Sequence, residues 1–261
     1  MLSSEKIKGY LSHGARGLRV EAYGCVTSTN DIIKELASEE NEVLVVASEQ
    51  TAGRGRRGRS FFSPDGTGLY MSILLRPNAA PEISALLTTA AAVATARAIE
   101  KNADVKADIK WINDIYIEGK KACGILCEAK LSDKNSLEYV VVGIGINLCH
   151  PKDDFPEEIK DIATSVFGKS TPDEDTVCRL CADIASFLLE YAEDISSRAF
   201  LGEYKKRLFM LGKEINVITP TATYVATATD IDNDAHLIVT LDTAEKRILS
   251  AGEISIGTTK P

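Results

Sequence analysis

Two apolar runs, EVLVVASE (42–49) and GLYMSILLR (68–76), are joined by QTAGRGRRGRSFFSPDGT. How that joint behaves constrains the fold more than any other feature. Both runs are rich in β-branched and aliphatic residues and read as buried strands. Between them, Gly53-Arg-Gly55-Arg-Arg-Gly58 has the form G-x-G-x-x-G directly after a strand. A dinucleotide-binding turn needs a helix opening at its last glycine and an acidic residue about 20 positions further on. Here Pro64, Gly66 and Gly68 follow, the chain runs straight into the second strand, and no acid occurs between Gly66 and Pro81. The doubly wound nucleotide fold is excluded on context. What remains is a long irregular loop held between two core strands.

The rest of the chain fits a mixed sheet backed by helices. Pro81 opens a predicted helix with Ile83, Leu86, Leu87, Ala90, Val93 and Ala94 at helical spacing. DIKW is a short strand, and DIYIEGKKACGILCEAK a hairpin turned at Glu118-Gly119-Lys120. LEYVVVGIGINL (137–148) is a further strand. After a polar, proline-bearing connection, Thr171-x-x-Glu174 with Pro172 reads as a capping box. It precedes an amphipathic helix through Val177, Leu180, Ile184, Leu188 and Leu189, and a second helical piece spans 198–210. From Gly212 the pattern changes to short strands and turns, enough for a small barrel. The expected architecture is α+β: a mixed β-sheet backed by helices over 1–210, then a small SH3-like β barrel over 211–261.

Composition narrows the function. Of 261 residues, 44% are hydrophobic and 26% charged, which suits a globular chain able to bury a core without disulfides. The net charge of −8 argues against binding nucleic acid over the whole surface, because such affinity comes from neutralising phosphates. The N-terminal stretch lacks the apolar core of a signal peptide, and no run suits a bilayer; the expectation is a soluble, cytoplasmic protein without membrane contact. Cys178-x-x-Cys181 has no second pair to answer it, and the three histidines are scattered, so no protein-held metal cage is expected.

In that acidic setting the glycine-arginine loop stands out. A nucleic-acid arm would sit at a terminus and repeat, whereas this run is single and framed by strands. Glycines let backbone N–H groups approach an anion, and arginine forks match phosphate or carboxylate oxygens. The loop therefore reads as one that folds over a small polyanion such as ATP. Other pieces point the same way, each weak alone. Ser28-Thr29-Asn30 precedes a helical run, where an N-cap explains one polar residue but not three. Trp111, Asn113 and Asp114 stand at a strand end, with Lys121 across the hairpin beside Gly124. Asn147 closes GIGIN with an amide able to read a base edge.

In their order and spacing, TSTN, EQTAGRGRRGR, KWINDIYIEGKKACGIL, GIGIN and the terminal GEISI resemble a biotin–protein ligase, from about residue 24 to the end. The glycine-arginine motif is specific to such ligases, while the looser catalytic fold is shared with lipoate–protein ligases. The resemblance implies synthesis of biotinyl-5′-AMP from biotin and ATP, with Mg2+ on the ATP phosphates, then transfer to a lysine of a biotin carboxyl carrier domain. It implies Ser28, Thr29, Asn30, Gln50, Gly53, Arg54, Arg56, Lys121 and Gly124 around biotin. Arg56, Phe61, Trp111, Asn113, Lys121 and Asn147 fall to ATP or the adenylate, and Arg56, Lys121 and Asp114 to catalysis. Two positions depart from the family pattern: Ile112 stands where proline is usual, and Phe61 where tryptophan is common, losing an indole N–H but keeping an apolar lid. Only some twenty residues precede the motifs, too few for the DNA-binding domain of some relatives, so a monofunctional enzyme without specific DNA binding is expected, as a monomer or homodimer. The rival readings are a lipoate or octanoate ligase and, in a different class, a nucleic-acid-binding module using the arginine loop.

Overall fold

The computed structural model describes residues 2–77, 83–133, 136–219 and 222–256. Its larger sheet has seven strands: β1 (Arg19–Val26), β2 (Val43–Gln50), β3 (Gly68–Leu75), β4 (Asp108–Lys110), β5 (Asp114–Ile117), β6 (Lys120–Leu131) and β7 (Leu137–Asn147). They lie in the order β1-β2-β3-β7-β6-β5-β4. β1 runs parallel to β2, and every other neighbouring pair is antiparallel. The sheet is mixed, as the absence of a helix after Gly58 required. β1 escaped the sequence reading because it is an edge strand with irregular burial, showing neither a continuous apolar run nor clean alternation. The β5–β6 hairpin turns through Glu118 (φ 49°) and Gly119 (φ 79°), two positive φ values in succession.

Side-chain alternation gives the sheet two unlike faces. On the rear face Leu69, Met71 and Ile73 of β3, Ile125 of β6, and Ile144 and Ile146 of β7 are fully or nearly fully buried. They pack in one cluster with α3 (Ile83–Asn102) and α4 (Glu174–Glu193). Ala90, Ala91, Ala92, Ala94, Ala96 and Ala98 of α3 have no exposure at all, so α3 is an inner helix whose small side chains let sheet and α4 close on it. Pro81, expected to open this helix, lies outside the described residues. On the front face Ile33 of α2 (Thr29–Leu36) covers Val43, Val45, Leu74 and Val141 in a separate, smaller cluster. α2 covers only part of that face, and the rest is open to the site.

The capping box is corrected. α4 begins at Glu174 with Asp173 as its N-cap, and the Asp173 carboxylate accepts from Thr176 N–H at 2.8 Å. A carboxylate one residue before the helix reaches the free N–H groups directly and also faces the positive end of the helix dipole. The short α1 (Ser4–Tyr10) lies against α4, with Tyr10 Oη donating to Asp175.

α5 (Leu201–Arg207) leads into a five-stranded antiparallel SH3-like sheet of β8 (Glu214–Ile218), β9 (Thr223–Ile231), β10 (Leu237–Thr240), β11 (Lys246–Leu249) and β12 (Glu253–Ile256), ordered β11-β10-β9-β8-β12. The run KRILSAGEISI is two strands, broken at Gly252, whose φ of 151° suits glycine. The two sheets share one apolar cluster, in which Ile215, Val217 and Leu237 continue from Trp111, Ile112 and Tyr204. Two buried hydrogen bonds brace the junction: Trp111 Nε1 donates to Ala235 O and Tyr204 Oη to Ile112 O, both at 2.9 Å. Among the described residues no helix is long and apolar enough to cross a membrane.

The cap assignment separates two substitutions. Asp173→Ala is expected to lower the urea midpoint of unfolding, while Thr171→Ala leaves it unchanged. Equal effects from the two would return the cap to Thr171.

Candidate functional site

Across the open part of the front face, register partners line up in one transverse row. Tyr70 of β3 pairs with Gly145 of β7, Gly145 with Gly124 of β6, Gly124 with Asp114 of β5, and Asp114 with Lys110 of β4. Neighbouring strands stand about 4.8 Å apart, so the two glycines make a bed without side chains between a tyrosine and an acid–base pair. The Phe61 ring lies on that bed. A Cβ on Gly145 would come 2.7 Å from Phe61 Cε1, and one on Gly124 3.3 Å from Cε2. The ring meets Tyr70 edge-on, with centroids 6.4 Å apart. In the next row, Ser72 pairs with Gly143 and Gly143 with Leu126. A Cβ on Gly143 would collide with Asn30 Oδ1, so this glycine makes room for the amide.

At one end of the bed the N-terminus of α2 meets the end of β2 in a polar chain. Thr29 N–H donates to Gln50 Oε1 at 2.9 Å, Gln50 Nε2 to Ser63 Oγ at 3.1 Å, and Ser63 Oγ to Phe61 O at 2.9 Å. The fully buried Ser72 Oγ lies 2.7 Å from Thr29 Oγ1 and 2.6 Å from Asn30 Oδ1. Asn30 Nδ2 donates to Glu128 Oε2 at 2.7 Å, and Lys34 Nζ pairs with Glu128 Oε1 at 2.8 Å. Ser28 occupies the N-cap position of α2 but makes no capping bond with its side chain; it is buried against the cleft wall. The N-cap explanation of this serine is therefore set aside.

At the other end lie the charges. In the loop a single turn spans Arg56–Gly58, with Arg57 at φ 57° and Gly58 at φ 75°. Arg56 Nη1 donates to Asn113 Oδ1 at 3.2 Å, while Asn113 Nδ2 donates to Ile125 O at 2.5 Å, so the amide is fixed to β6 as it holds the arginine. Lys121 Nζ pairs with Asp114 Oδ1 at 2.7 Å. Arg54 pairs with Asp31 at 2.8 Å, drawn toward α2. Arg57 and Arg59 both reach Glu253 of β12, at 3.4 and 2.8 Å, so the second sheet helps to hold the loop.

One cleft of about 480 Å³ joins these groups. Its walls include Ser28, Thr29, Asn30 and Gln50 at the polar end, and Gly124 and Phe61 in the middle. Arg54, Arg56, Asp114 and Lys121, with Trp111 and Asn113, complete the expected set found there. Two expected residues lie outside the wall. Gly53 is buried beneath the loop, where a Cβ would come 2.5 Å from both Phe61 O and Ser63 Oγ; its value is close packing. Asn147 stands at the end of β7, with Nδ2 donating to Thr164 O at 2.9 Å. The structure adds Lys110, Tyr116, Gly143 and Gly145, and Gly252 and Glu253 from the second sheet. Gly143 and Gly145 were in view in GIGIN, but only the register shows them facing the site. Gly252 and Glu253 open the string GEISI, but nothing local to it shows that the second sheet approaches the cleft.

Among the described residues no group of three or more His, Cys, Asp and Glu is placed to hold a metal ion. Cys178 and Cys181 are free and buried in α4, and burial pushes the Cys127 thiol up to about 12.

The profile of the Biotin/lipoate A/B protein ligase family matches residues 23–147, and that of the Biotin protein ligase C terminal domain matches residues 210–257. The Bifunctional ligase/repressor BirA of Bacillus subtilis is 34% identical over 98% of this chain and 79% of its own length. The Biotin--[acetyl-CoA-carboxylase] ligase of Mycobacterium tuberculosis is 28% identical over 87% of this chain and 85% of its own. Among solved structures, the biotin protein ligase from Aquifex aeolicus in complex with biotin and ATP has a TM-score of 0.76 and 27% identity, covering 92% of this chain and 99% of that one.

The polar chain has a pH signature. Burial pulls the Glu128 carboxyl upward, but hydrogen bonds from Lys34 and Asn30 and the charge of Arg54 outweigh it, leaving its pKa below the ordinary 4.5. A depressed folded-state pKa adds stability that is present above the unfolded value and lost as pH falls through the folded one. Glu128→Gln is expected to flatten the acid limb of a stability profile below about pH 4.5, read by urea unfolding. An acid limb identical to wild type would place the titration elsewhere.

Proposed function

The chain belongs to the biotin protein ligase family, and we propose that it joins biotin to ATP as biotinyl-5′-AMP, releasing pyrophosphate, then passes biotin to a lysine of a biotin carboxyl carrier domain. The observation that carries this reading is the continuity of one cleft. It runs from the hydroxyl and amide groups at Ser28–Gln50, over the glycine bed, to Arg56 and Lys121. The polar end suits a ureido ring, which needs donors and acceptors together, and the bed with Phe61 suits an apolar bicycle and chain. The carboxylate would then emerge where the cations stand.

In the first step a biotin carboxylate oxygen attacks the α-phosphorus, and the bond to the β-phosphate oxygen breaks as pyrophosphate leaves. Both reactants are anions, so the site must cancel their repulsion and hold them in line. Arg56, anchored through Asn113, presents its guanidinium to the developing acyl-phosphate anhydride. Lys121 exchanges Asp114 for the incoming carboxylate, which also releases the Asp114 carboxylate. Magnesium bound to the ATP phosphates would supply charge neutralisation for the leaving pyrophosphate. In the second step the carrier lysine nitrogen attacks the acyl carbon and AMP departs. The freed Asp114 is placed to orient the amine and take its proton. Trp111 and Asn113 form the adenine side; Asn147, outside the cleft wall with its Nδ2 donated to Thr164 O, is given no part.

Incubation with ATP, an apo carrier domain and either biotin or lipoate, followed by weighing the carrier, tests the reading. A gain of one biotinyl group is expected with biotin and none with lipoate; the reverse would favour the lipoate rival, which shares the catalytic family profile. Arg56→Ala removes a charged hydrogen-bonding group worth about 1.5–3 kcal/mol. Its adenylate should escape about tenfold faster or more, followed by release of labelled biotinyl-AMP. Unchanged retention would remove Arg56 from the site's machinery.

A further inference from the structure

Of the cations lining the cleft, Lys110 is the one to which neither the proposed chemistry nor an ion pair among the described residues gives a part. It ends β4, the edge strand of the large sheet, and lines the cleft at the end farthest from Ser28 and Gln50. It is half-buried, and burial pulls its ammonium below the ordinary value despite the nearby carboxylates of Asp114 and Glu253. Unlike Arg54, Arg57, Arg59 and Lys121, it has no ion pair among the described residues. Its named contact is a distant one, with Nζ 5.7 Å from the centroid of the Tyr116 ring. A cation that is partly desolvated and left without an anion is costly unless a ligand supplies one. The nearby acids are already engaged, Asp114 by Lys121 and Glu253 by Arg57 and Arg59.

We infer that Lys110 binds the β- and γ-phosphates of ATP and the pyrophosphate they become. This deepens the ligase reading and rests on it. The sheet sets the distance. Lys121 lies on β6 and Lys110 on β4, two strand spacings across and two residues along, or about 12 Å apart at the backbone. Lys110 also heads the transverse row through Asp114, Gly124 and Gly145, so it projects from the same face as the bed. If biotin lies along the bed beside Phe61 and its carboxylate meets the α-phosphorus by Lys121, the rest of the triphosphate continues away from biotin. In-line displacement requires this, because the leaving oxygen must lie opposite the attacking one. Lys110 stands on that side, on a four-carbon stem that lets its charge follow the departing pyrophosphate. Arg59, paired with Glu253 at the same end, adds positive charge.

The test compares nucleotides that differ only in their outer phosphates. With biotin left out, so that ATP is not consumed, wild type is expected to bind ATP more tightly than AMP. Lys110→Ala should weaken ATP and inorganic pyrophosphate about tenfold or more while leaving AMP and biotin within about twofold. Lys110→Arg, which keeps the charge, should recover most of the ATP affinity and guards against a folding artefact. Equal weakening of ATP and AMP, or an unchanged ATP-to-AMP ratio, overturns the inference and leaves the ligase reading intact. Wild type that binds neither biotin nor ATP overturns both.

Discussion

The site depends on the absence of side chains at three front-face positions, Gly124, Gly143 and Gly145. Everything placed above them uses that absence: Asn30 sits over Gly143, and the Phe61 ring over Gly145 and Gly124. Three glycines on one face of β6 and β7 create a shelf with no break in the ladder below. The opposite face of the same strands carries Ile125, Ile144 and Ile146, all packed on the inner helices. A rigid rear face and a hollow front face are thus written into the same strands. A preformed hollow saves the ordering that a mobile pocket would have to undergo on binding.

Charge is the second organising constraint. The chain carries a net charge of −8, yet the far end of the cleft gathers Arg56, Arg57, Arg59, Lys110 and Lys121. Most are paired: Lys121 with Asp114, and Arg57 and Arg59 with Glu253. Such pairs are half-exposed and add little to stability. Their effect is positional, because each acid sets the direction of a long side chain that solvent would leave free. An anionic ligand then competes with an intramolecular acid. Exchange of this kind costs less than desolvating a bare ammonium, since the cation already has part of its hydration replaced.

Much of the architecture was legible because the signals were local. The strands around the loop, the hairpin at Glu118–Gly119 and the helix through Val177 and Leu188 follow from periodicity and turn chemistry. The misses share a physical cause. β1 is an edge strand whose burial alternates irregularly, and two residues close before α4, Thr171 and Asp173, both carry side chains able to cap. Of the site, the four motifs were visible as strings, but which glycine faces the cleft depends on strand parity and register. Lys110, as the first residue of KWIND, was read as part of a strand; only its position opposite Asp114 gives it a place on the site face. At Gly53 the close approach of Phe61 O and Ser63 Oγ calls for a glycine on packing grounds, which the string alone does not show.

The second sheet belongs to the same physical argument. β4 is an edge, and an uncovered edge beside a charged cleft leaves both water and unpaired backbone groups at the site. Trp111, next after β4, is 4% exposed and sends its indole N–H to Ala235 between β9 and β10, while Leu208 forms an isolated bridge to Ile109. The small sheet therefore closes that end of the large one. From there Gly252 and Glu253 reach the cleft wall, and Glu253 takes two arginines of the loop. Loop position and sheet position are thereby tied through one carboxylate. A cation on the covered edge, with its own hydration reduced and the nearest acids engaged elsewhere, is where an outgoing polyphosphate finds the least competition.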